Sequence, residues 1–413
     1  TNQTPSAGNT YYLYHPDKGQ FLFAGENKYG VTPSVFNATP IYVETGGSGN
    51  SNTTFSFVIR GTKYYIYQDD GNSSFETSKA SEFEPKLSGD KYRLQTQRYT
   101  SWGTVYYRML HAGTSGDQCN FPGYTSSGSD GYEWQFISES EVESARSAMA
   151  ESCASSAASY ATTSNGWERV TSISALQTNP ENYYYAIFCA NATGLMLQAT
   201  SNNTESQKLY YKTATNPTSS SEYLFEIENH VSGGFALKSF AIGKYFSNAT
   251  SYDFHANQTS ATAGNYTNLT LTYANGAYTI ETAQPTNFVG LWTIISDWYS
   301  ANKYLAGNKE SSLAGKFLIY RLPKQRLRNA SFTANITNPS FETGDDTGWT
   351  HELSSDTGVK TSSGGYATTG TDGTYLFNTW WQGVPLSQTI GNIPNGKYRM
   401  TVSLAGSDDG KES

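Results

Sequence analysis

Tyr11-Tyr12-Leu13-Tyr14, Tyr64-Tyr65-Ile66-Tyr67 and Tyr106-Tyr107-Arg108-Met109 each open a unit with the same three beats: an aromatic strand, a small-residue turn, and a second apolar strand at Phe21, Phe75 or Phe121. These openers lie 53 and 42 residues apart. Tyr183, Phe235 and Leu291 repeat the pattern 52 and 56 residues apart, answered by Leu195, Tyr245 and Tyr304. Self-similarity at such a period marks repeated supersecondary units and is weighed before any local feature.

Every unit closes on an alternating strand. In the first stretch these carry Phe55, Phe57 and Ile59, then Tyr92 and Leu94, then Trp134 and Phe136. In the second they carry Tyr223, Phe225 and Ile227, then Leu269, Leu271 and Tyr273, then Phe317 and Ile319. Alternation puts these side chains on one face, so each unit owns an apolar face it cannot bury alone. Three such units bury their faces against one another around a pseudo-threefold axis. Four strands per unit and three units per domain predict two β-trefoils, which leave no long edge open. A sandwich or propeller is the competing all-β reading, but propeller blades would repeat more evenly and more often.

Composition agrees with an all-β chain. Aromatics make up 15% of 413 residues, led by 32 Tyr, and charged residues also 15%, against roughly 25% charged in an average soluble domain. The length exceeds a single core and fits several domains. A net charge of −8 excludes the basic footprint of a nucleic-acid binder; the one dense basic run, 324–328, is short. No apolar run reaches the ~18 residues of a membrane span. Cys119, Cys153 and Cys189 match no zinc spacing and cannot all pair within one chain; buried or idle thiols and a single disulfide both remain open. The opening residues 1–8 read as a polar flexible stretch.

Between the two periodic stretches, 139–160 turns acidic and then rich in Ala and Ser. Ser138 or Ser140 is placed to cap a helix whose first turn holds Glu141 and Glu143, and its thin apolar content predicts a spacer.

After Pro323 the pattern changes. Asn338-Pro339-Ser340-Phe341-Glu342, followed by Gly348-Trp349-Thr350, Leu386-Ser387-Gln388-Thr389-Ile390 and Gly396-Lys397-Tyr398-Arg399, resembles the first half of a galactose-binding-like jelly roll of the carbohydrate-binding-module kind. The remaining chain is shorter than such domains, so the resemblance implies a longer natural protein. Tyr11-Tyr12-Leu13-Tyr14, Lys18-Gly19-Gln20-Phe21-Leu22, Ala24-Gly25 and Tyr29-Gly30 resemble the trefoil modules of large secreted or surface proteins of Bacteroidetes. The predicted division is a β-trefoil at 1–138, a helical linker at 139–180, a second β-trefoil at 181–322 and the N-terminal part of a jelly roll at 323–413.

Ricin-type trefoil lectins carry Gln-x-Trp near the end of each unit; here the nearest run is Tyr132-Glu133-Trp134, so ricin-style sugar sites are not carried over. Sugar binding without ionic partners rests on aromatic faces stacking on a pyranose, flanked by amide and carboxylate hydrogen bonds. The candidate contacts are Trp380 and Trp381, which follow Tyr375-Leu376-Phe377-Asn378 and point to opposite faces of a strand, together with Tyr375, Trp349, Trp298 and Trp102. Ordinary packing competes at each of them. Glu342, Asp345 and Asp346 are candidate calcium ligands, since jelly rolls of the resembled type often hold calcium near the first strand; six or more oxygens are needed, and a solvated acidic turn is the alternative. The closest carboxylate pairs, Asp69-Asp70 and Glu82-Phe83-Glu84, read as turns, and no histidine sits at helix or hairpin spacing from a second ligand. Twelve Asn-x-Ser/Thr sites are glycan acceptors only in a eukaryotic secretory setting.

The expectation is a non-catalytic, secreted or surface-exposed region that holds glycans or polysaccharide, with no nucleic-acid partner and no membrane insertion. A structural or adhesion spacer without sugar binding is the first alternative. The second is an accessory region of a glycoside hydrolase whose catalytic domain lies beyond the chain.

Overall fold

A computed structural model describes residues 1–24, 29–47, 52–68, 73–101, 104–112, 132–199, 207–248, 254–262, 264–283, 286–291, 304–308, 314–324, 333–352, 357–361, 373–379, 385–391, 393 and 398–402. The fold is all-β, built on large antiparallel sheets. The chain divides into two compact units, one of residues 1–216 and 222–323, the other of 217–221 and 324–413.

In the first unit two sets of six strands each close on themselves. The first ring consists of β1 (Thr10–His15), β2 (Ile41–Thr45), β3 (Thr53–Ile59), β4 (Glu84–Ser88), β5 (Lys91–Ser101) and β6 (Glu133–Ser138). β1 pairs with β2 at Tyr11 and Ile41, and β2 with β3 at Val43 and Phe55. A bridge from Thr53 to Phe83 joins β3 to the start of β4. β4 meets β5 at Leu87 and Tyr92, β5 meets β6 at Tyr92 and Trp134, and β6 returns to β1 at Phe136 and Leu13. The second ring repeats this with β7 (Tyr183–Cys189), β8 (Phe225–Asn229), β9 (Phe235–Ser239), β10 (Leu269–Ala274), β11 (Ala277–Ala283) and β12 (Phe317–Pro323). Its pairs are Tyr185 with Phe225, Ile227 with Leu237, Phe235 with Leu269, Leu271 with Ile280, Tyr278 with Phe317, and Ile319 with Ile187.

Closure is driven by alternation. Tyr185 and Ile187, Phe225 and Ile227, Phe235 and Leu237, Leu269 and Leu271, Tyr278 and Ile280, and Phe317 and Ile319 are all buried in one core. Each ring strand thus gives two inward side chains. The first ring does the same through pairs such as Phe55 and Phe57 or Trp134 and Phe136, with Phe83 alone on its strand. Burying each of these side chains contributes about 1.5–3 kcal/mol. Phe83 is therefore a core residue, not part of a turn. Of its flanking carboxylates, Glu82 accepts the Gly47 N–H at 2.8 Å and the Asn52 amide at 3.1 Å, while Glu84 pairs with Lys86 at 2.5 Å.

Hairpin strands extend from the rings, and they shift the apparent phase of the repeat. Tyr64 to Tyr67 lie in Thr62–Gln68, Tyr106 to Met109 in Thr104–Met109, and Leu291 ends Thr286–Leu291. All three are hairpin strands, whereas Tyr11, Tyr183 and Phe235 sit in ring strands. The aromatic openers therefore mark two structural positions, one strand apart. Hairpin aromatics have their own packing: Tyr64 stacks on Phe57 at 5.8 Å, and Phe75 meets Phe57 edge-on at 4.5 Å.

Residues 1–8 are tied down rather than loose. Gln3 donates its N–H to the Phe136 carbonyl at 2.7 Å, Asn2 accepts the Phe136 N–H at 2.8 Å, and Gly8 donates to the Val43 carbonyl at 2.8 Å.

Helix α1 (Glu139–Ala157) begins at Ser138, where Glu141 completes a capping box. Its thin apolar content predicts a spacer, and the helix packs against ring residues on two sides. Toward the first ring, Val142 packs with Tyr12 and Ala38. Arg146 donates to the Val35 and Ala38 carbonyls, both at 3.0 Å, with its guanidinium 5.1 Å over the Tyr12 ring. Toward the second ring, Ala150, Cys153, Ala154 and Ala157 are buried. Tyr320 donates to the Ala154 carbonyl at 3.1 Å, and Arg169 reaches both Glu151 at 2.8 Å and the Gly276 carbonyl at 2.9 Å. Among the described residues no helix is long and apolar enough to cross a membrane.

Among the described residues of the second unit two short antiparallel pairs form: Thr350–His351 with Leu386–Ser387, and Thr357–Thr361 with Tyr375–Thr379.

Candidate functional site

Of the sequence-predicted sugar contacts, Trp102, Trp298, Trp380 and Trp381 lie outside the described residues, as do Asp69 and Asp70. Trp349 and Tyr375 are both in the second unit, and local packing occupies both. Trp349 is half-buried, donates its indole N–H to the Asn338 carbonyl at 3.0 Å, and lies 5.4 Å from the Phe341 ring. Phe341 also lies 5.5 Å from the Phe377 ring, so Trp349 is one of three half-buried rings in contact. Tyr375 covers Gly344, where a Cβ would stand 3.2 Å from the Tyr375 Cζ.

The three candidate calcium ligands are also placed. Glu342 accepts the N–H groups of Thr374 and Tyr375, each at 2.9 Å, and these hold its carboxyl below the usual range. Asp345 accepts from the Thr343 hydroxyl at 2.6 Å and the Thr347 N–H at 3.1 Å, which lower it likewise. Asp346 pairs with His351 at 2.7 Å, raising the imidazole above its ordinary pKa. Each carboxylate thus has a protein partner. Among the described residues no three acidic, His or Cys side chains converge on a cation site.

A different constellation, missed by the sequence reading, lies on the outside of the second ring. Phe225 and Ile227 point inward on β8, so Glu226 and Glu228 between and after them point outward; Lys238 does the same on β9 beside inward Leu237. In register, Glu226 faces Lys238, Lys238 faces Tyr245 of Tyr245–Ser247, and Tyr245 faces Gln258 of His255–Gln258. One row across four neighbouring strands therefore presents a carboxylate, an ammonium, a phenol and an amide.

The charges in this row are arranged. Lys238 Nζ is 3.5 Å from Glu226 and 5.4 Å above the Tyr245 ring. Burial, with Glu228 hydrogen-bonded to the hydroxyl, pushes the Tyr245 phenol up to about 12. The phenol therefore stays protonated, with its hydrogen donated to Glu228. Tyr245, Lys238, Glu226, Glu228 and Gln258 are all half-buried, held by the sheet yet open on one side. The signal in the sequence was period-two alternation of charge against core on β8 and β9, which shows faces but not the cross-strand register that makes a row.

His15 is fully buried at the end of β1, 5.6 Å edge-on from Trp134, and neither ring nitrogen has a hydrogen-bond partner. Burial, then Lys18, and more weakly His111, lower its pKa.

No protein-family profile matches the chain, and no curated protein matches it in sequence. Solved structures with a weak likeness include a mosquitocidal holotoxin, at 10% identity and TM-score 0.30, covering 80% of this chain and 35% of the toxin's. A GH43 β-1,3-galactosidase is matched at 9% identity and TM-score 0.27, covering 76% of this chain and 77% of that one. A GlcNAcα1-4Gal-releasing endo-β-galactosidase from Clostridium perfringens is matched at 12% identity and TM-score 0.27, with coverage of 78% and 70%. This chain thus spans about a third of the toxin chain's length.

Proposed function

We propose that this chain is a non-catalytic, extracellular carbohydrate-binding region in which two β-trefoils, joined through α1, hold glycans on their outer strands. The six-membered ring closures with outlying hairpins support the trefoil reading. The observation that carries the functional reading is the row Glu226, Lys238, Tyr245 and Gln258. An aromatic ring with a carboxylate, an ammonium and an amide beside it is the chemistry that recognises a pyranose, through C–H stacking and charge-assisted hydrogen bonds. The carboxylates favour neutral or amino sugars over acidic ones.

A glycan array probed with the intact chain, with Tyr245→Ala and with Trp380→Ala/Trp381→Ala, tests this. Binding lost in Tyr245→Ala supports the row as the site. Binding lost only in the tryptophan double variant moves the site to the second unit. Absence of binding to any glycan favours the other reading, a structural spacer, which has its own support in the way α1 packs against both rings.

A further inference from the structure

Cys153 lies on the buried face of α1, and Cys189 ends β7; both thiols are free and 2% exposed. The helix approaches the second ring closely here. Tyr320, which stands opposite Ala186 in the β7–β12 register, donates to the carbonyl of Ala154, the neighbour of Cys153. On the same helix face a Cβ at Gly276 would lie 3.0 Å from the Ala150 Cβ, so only small side chains separate helix and strand. Cys189 pairs with Phe317, and the turn that follows it brings the Ala192 N–H to the Cys153 sulfur. Helix and ring are thus in contact around both cysteines, Cys153 on the buried helix face and Cys189 at the end of the facing strand, and the Cys153 thiol is near enough to raise Cys189 further above its ordinary pKa.

We propose that Cys153 and Cys189 are the partners of a disulfide that staples α1 to the second ring, and that the bond forms during folding. The oxidant is a small disulfide such as oxidised glutathione. One cysteine thiolate attacks a glutathione sulfur, breaking that S–S bond and expelling one glutathione thiolate. The second cysteine thiolate then attacks the protein sulfur of the mixed disulfide, forming the Cys153–Cys189 bond and expelling the second glutathione. The protein loses two electrons and two protons, and the glutathione disulfide becomes two thiols.

The timing follows from burial. In the folded chain burial raises both thiols above their ordinary pKa, and the thiolate is the attacking species. The folded reduced protein therefore reacts slowly, and the reactive interval is before the seam closes.

The test is refolding of the denatured, reduced chain in a glutathione redox buffer, followed by alkylation under denaturing conditions and peptide mapping by mass spectrometry. The expected product has lost two hydrogen atoms, carries one alkylated thiol at Cys119, and yields a cross-linked peptide containing Cys153 and Cys189. The folded reduced protein in the same buffer acquires the bond at least about tenfold more slowly. Cys119→Ser retains the cross-link. Three alkylated thiols after refolding, or a cross-link that includes Cys119, overturn the pairing, and the wild-type map decides this even if Cys153→Ser fails to fold. Equal rates from the folded and unfolded chains overturn the proposed timing.

Discussion

Lys316, just before β12, donates to the Thr279 hydroxyl at 2.8 Å and feels the charge of Arg146. Burial first, and Arg146 second, lower its pKa to about 8. An unfolded lysine titrates near 10.4, so keeping this one charged costs the folded state about 3 kcal/mol at pH 7. The sign follows from the depressed pKa of a base. Between the folded and unfolded values the unfolded chain binds more protons, so this group's contribution to stability rises with pH across about 8 to 10.4. Lys316→Met removes the penalty and forfeits one hydrogen bond of about 1 kcal/mol, leaving a net gain of about 2 kcal/mol at pH 7. At pH 9.5 the penalty on the wild type has fallen to about 1 kcal/mol, so the advantage of the variant shrinks by about 2 kcal/mol. The assay is urea unfolding of both proteins at pH 7 and 9.5. Buried phenols titrate alike in the two and cancel from the difference. A variant less stable than wild type at pH 7, or a difference that does not narrow with pH, would mean that Lys316 carries no burial penalty in the folded state.

Other predictions follow from single contacts. Gly373→Ala places a Cβ 2.3 Å from the Glu342 Cδ at a φ of +109°, so the Glu342 clamp on Thr374 and Tyr375 is displaced; the second unit should lose about 1–3 kcal/mol, read as a lower melting transition while that of the first unit stays unchanged. His15→Phe removes an unpartnered buried imidazole. With its pKa depressed, His15 contributes stability that is present above pH 6.5 and lost as the pH falls through the folded value, so the variant should resist acid unfolding better than wild type in a pH titration followed by circular dichroism. Phe317→Ala empties a position at the β11–β12 closure and should cost about 3–5 kcal/mol in denaturant unfolding. Ser138→Ala breaks the capping box of α1 and should cost about 1 kcal/mol.

The inward residues of both rings were readable because alternation is local: Phe225 and Ile227, or Trp134 and Phe136, announce a buried face within five residues. The start of α1 was readable to within two residues, as Ser138 or Ser140, and the capping box that Ser138 makes with Glu141 settles it. The phase of the repeat was not, because hairpin strands such as Thr62–Gln68 bury aromatics against ring residues and so carry the same composition as ring strands. The role of α1 was hidden in alanines, which look inert in sequence yet permit the close approach seen at Ala150 and Gly276. The carboxylates of Glu342, Asp345 and Asp346 suggested a cation because their partners, two backbone amides, nearby hydroxyl and amide donors and His351, are spread over 32 residues of chain. The Tyr245 row required strand register, which connects residues from four strands and has no signature in any one of them.

The proposed function stands or falls on whether the second ring holds sugar on that row. Hydrogen–deuterium exchange of the intact chain, with and without a glycan that it binds, tests this most directly. Protection concentrated in the peptides carrying Glu226 to Glu228, Lys238, Tyr245 and Gln258 is the predicted result. Protection elsewhere in the chain with these peptides unchanged would contradict it.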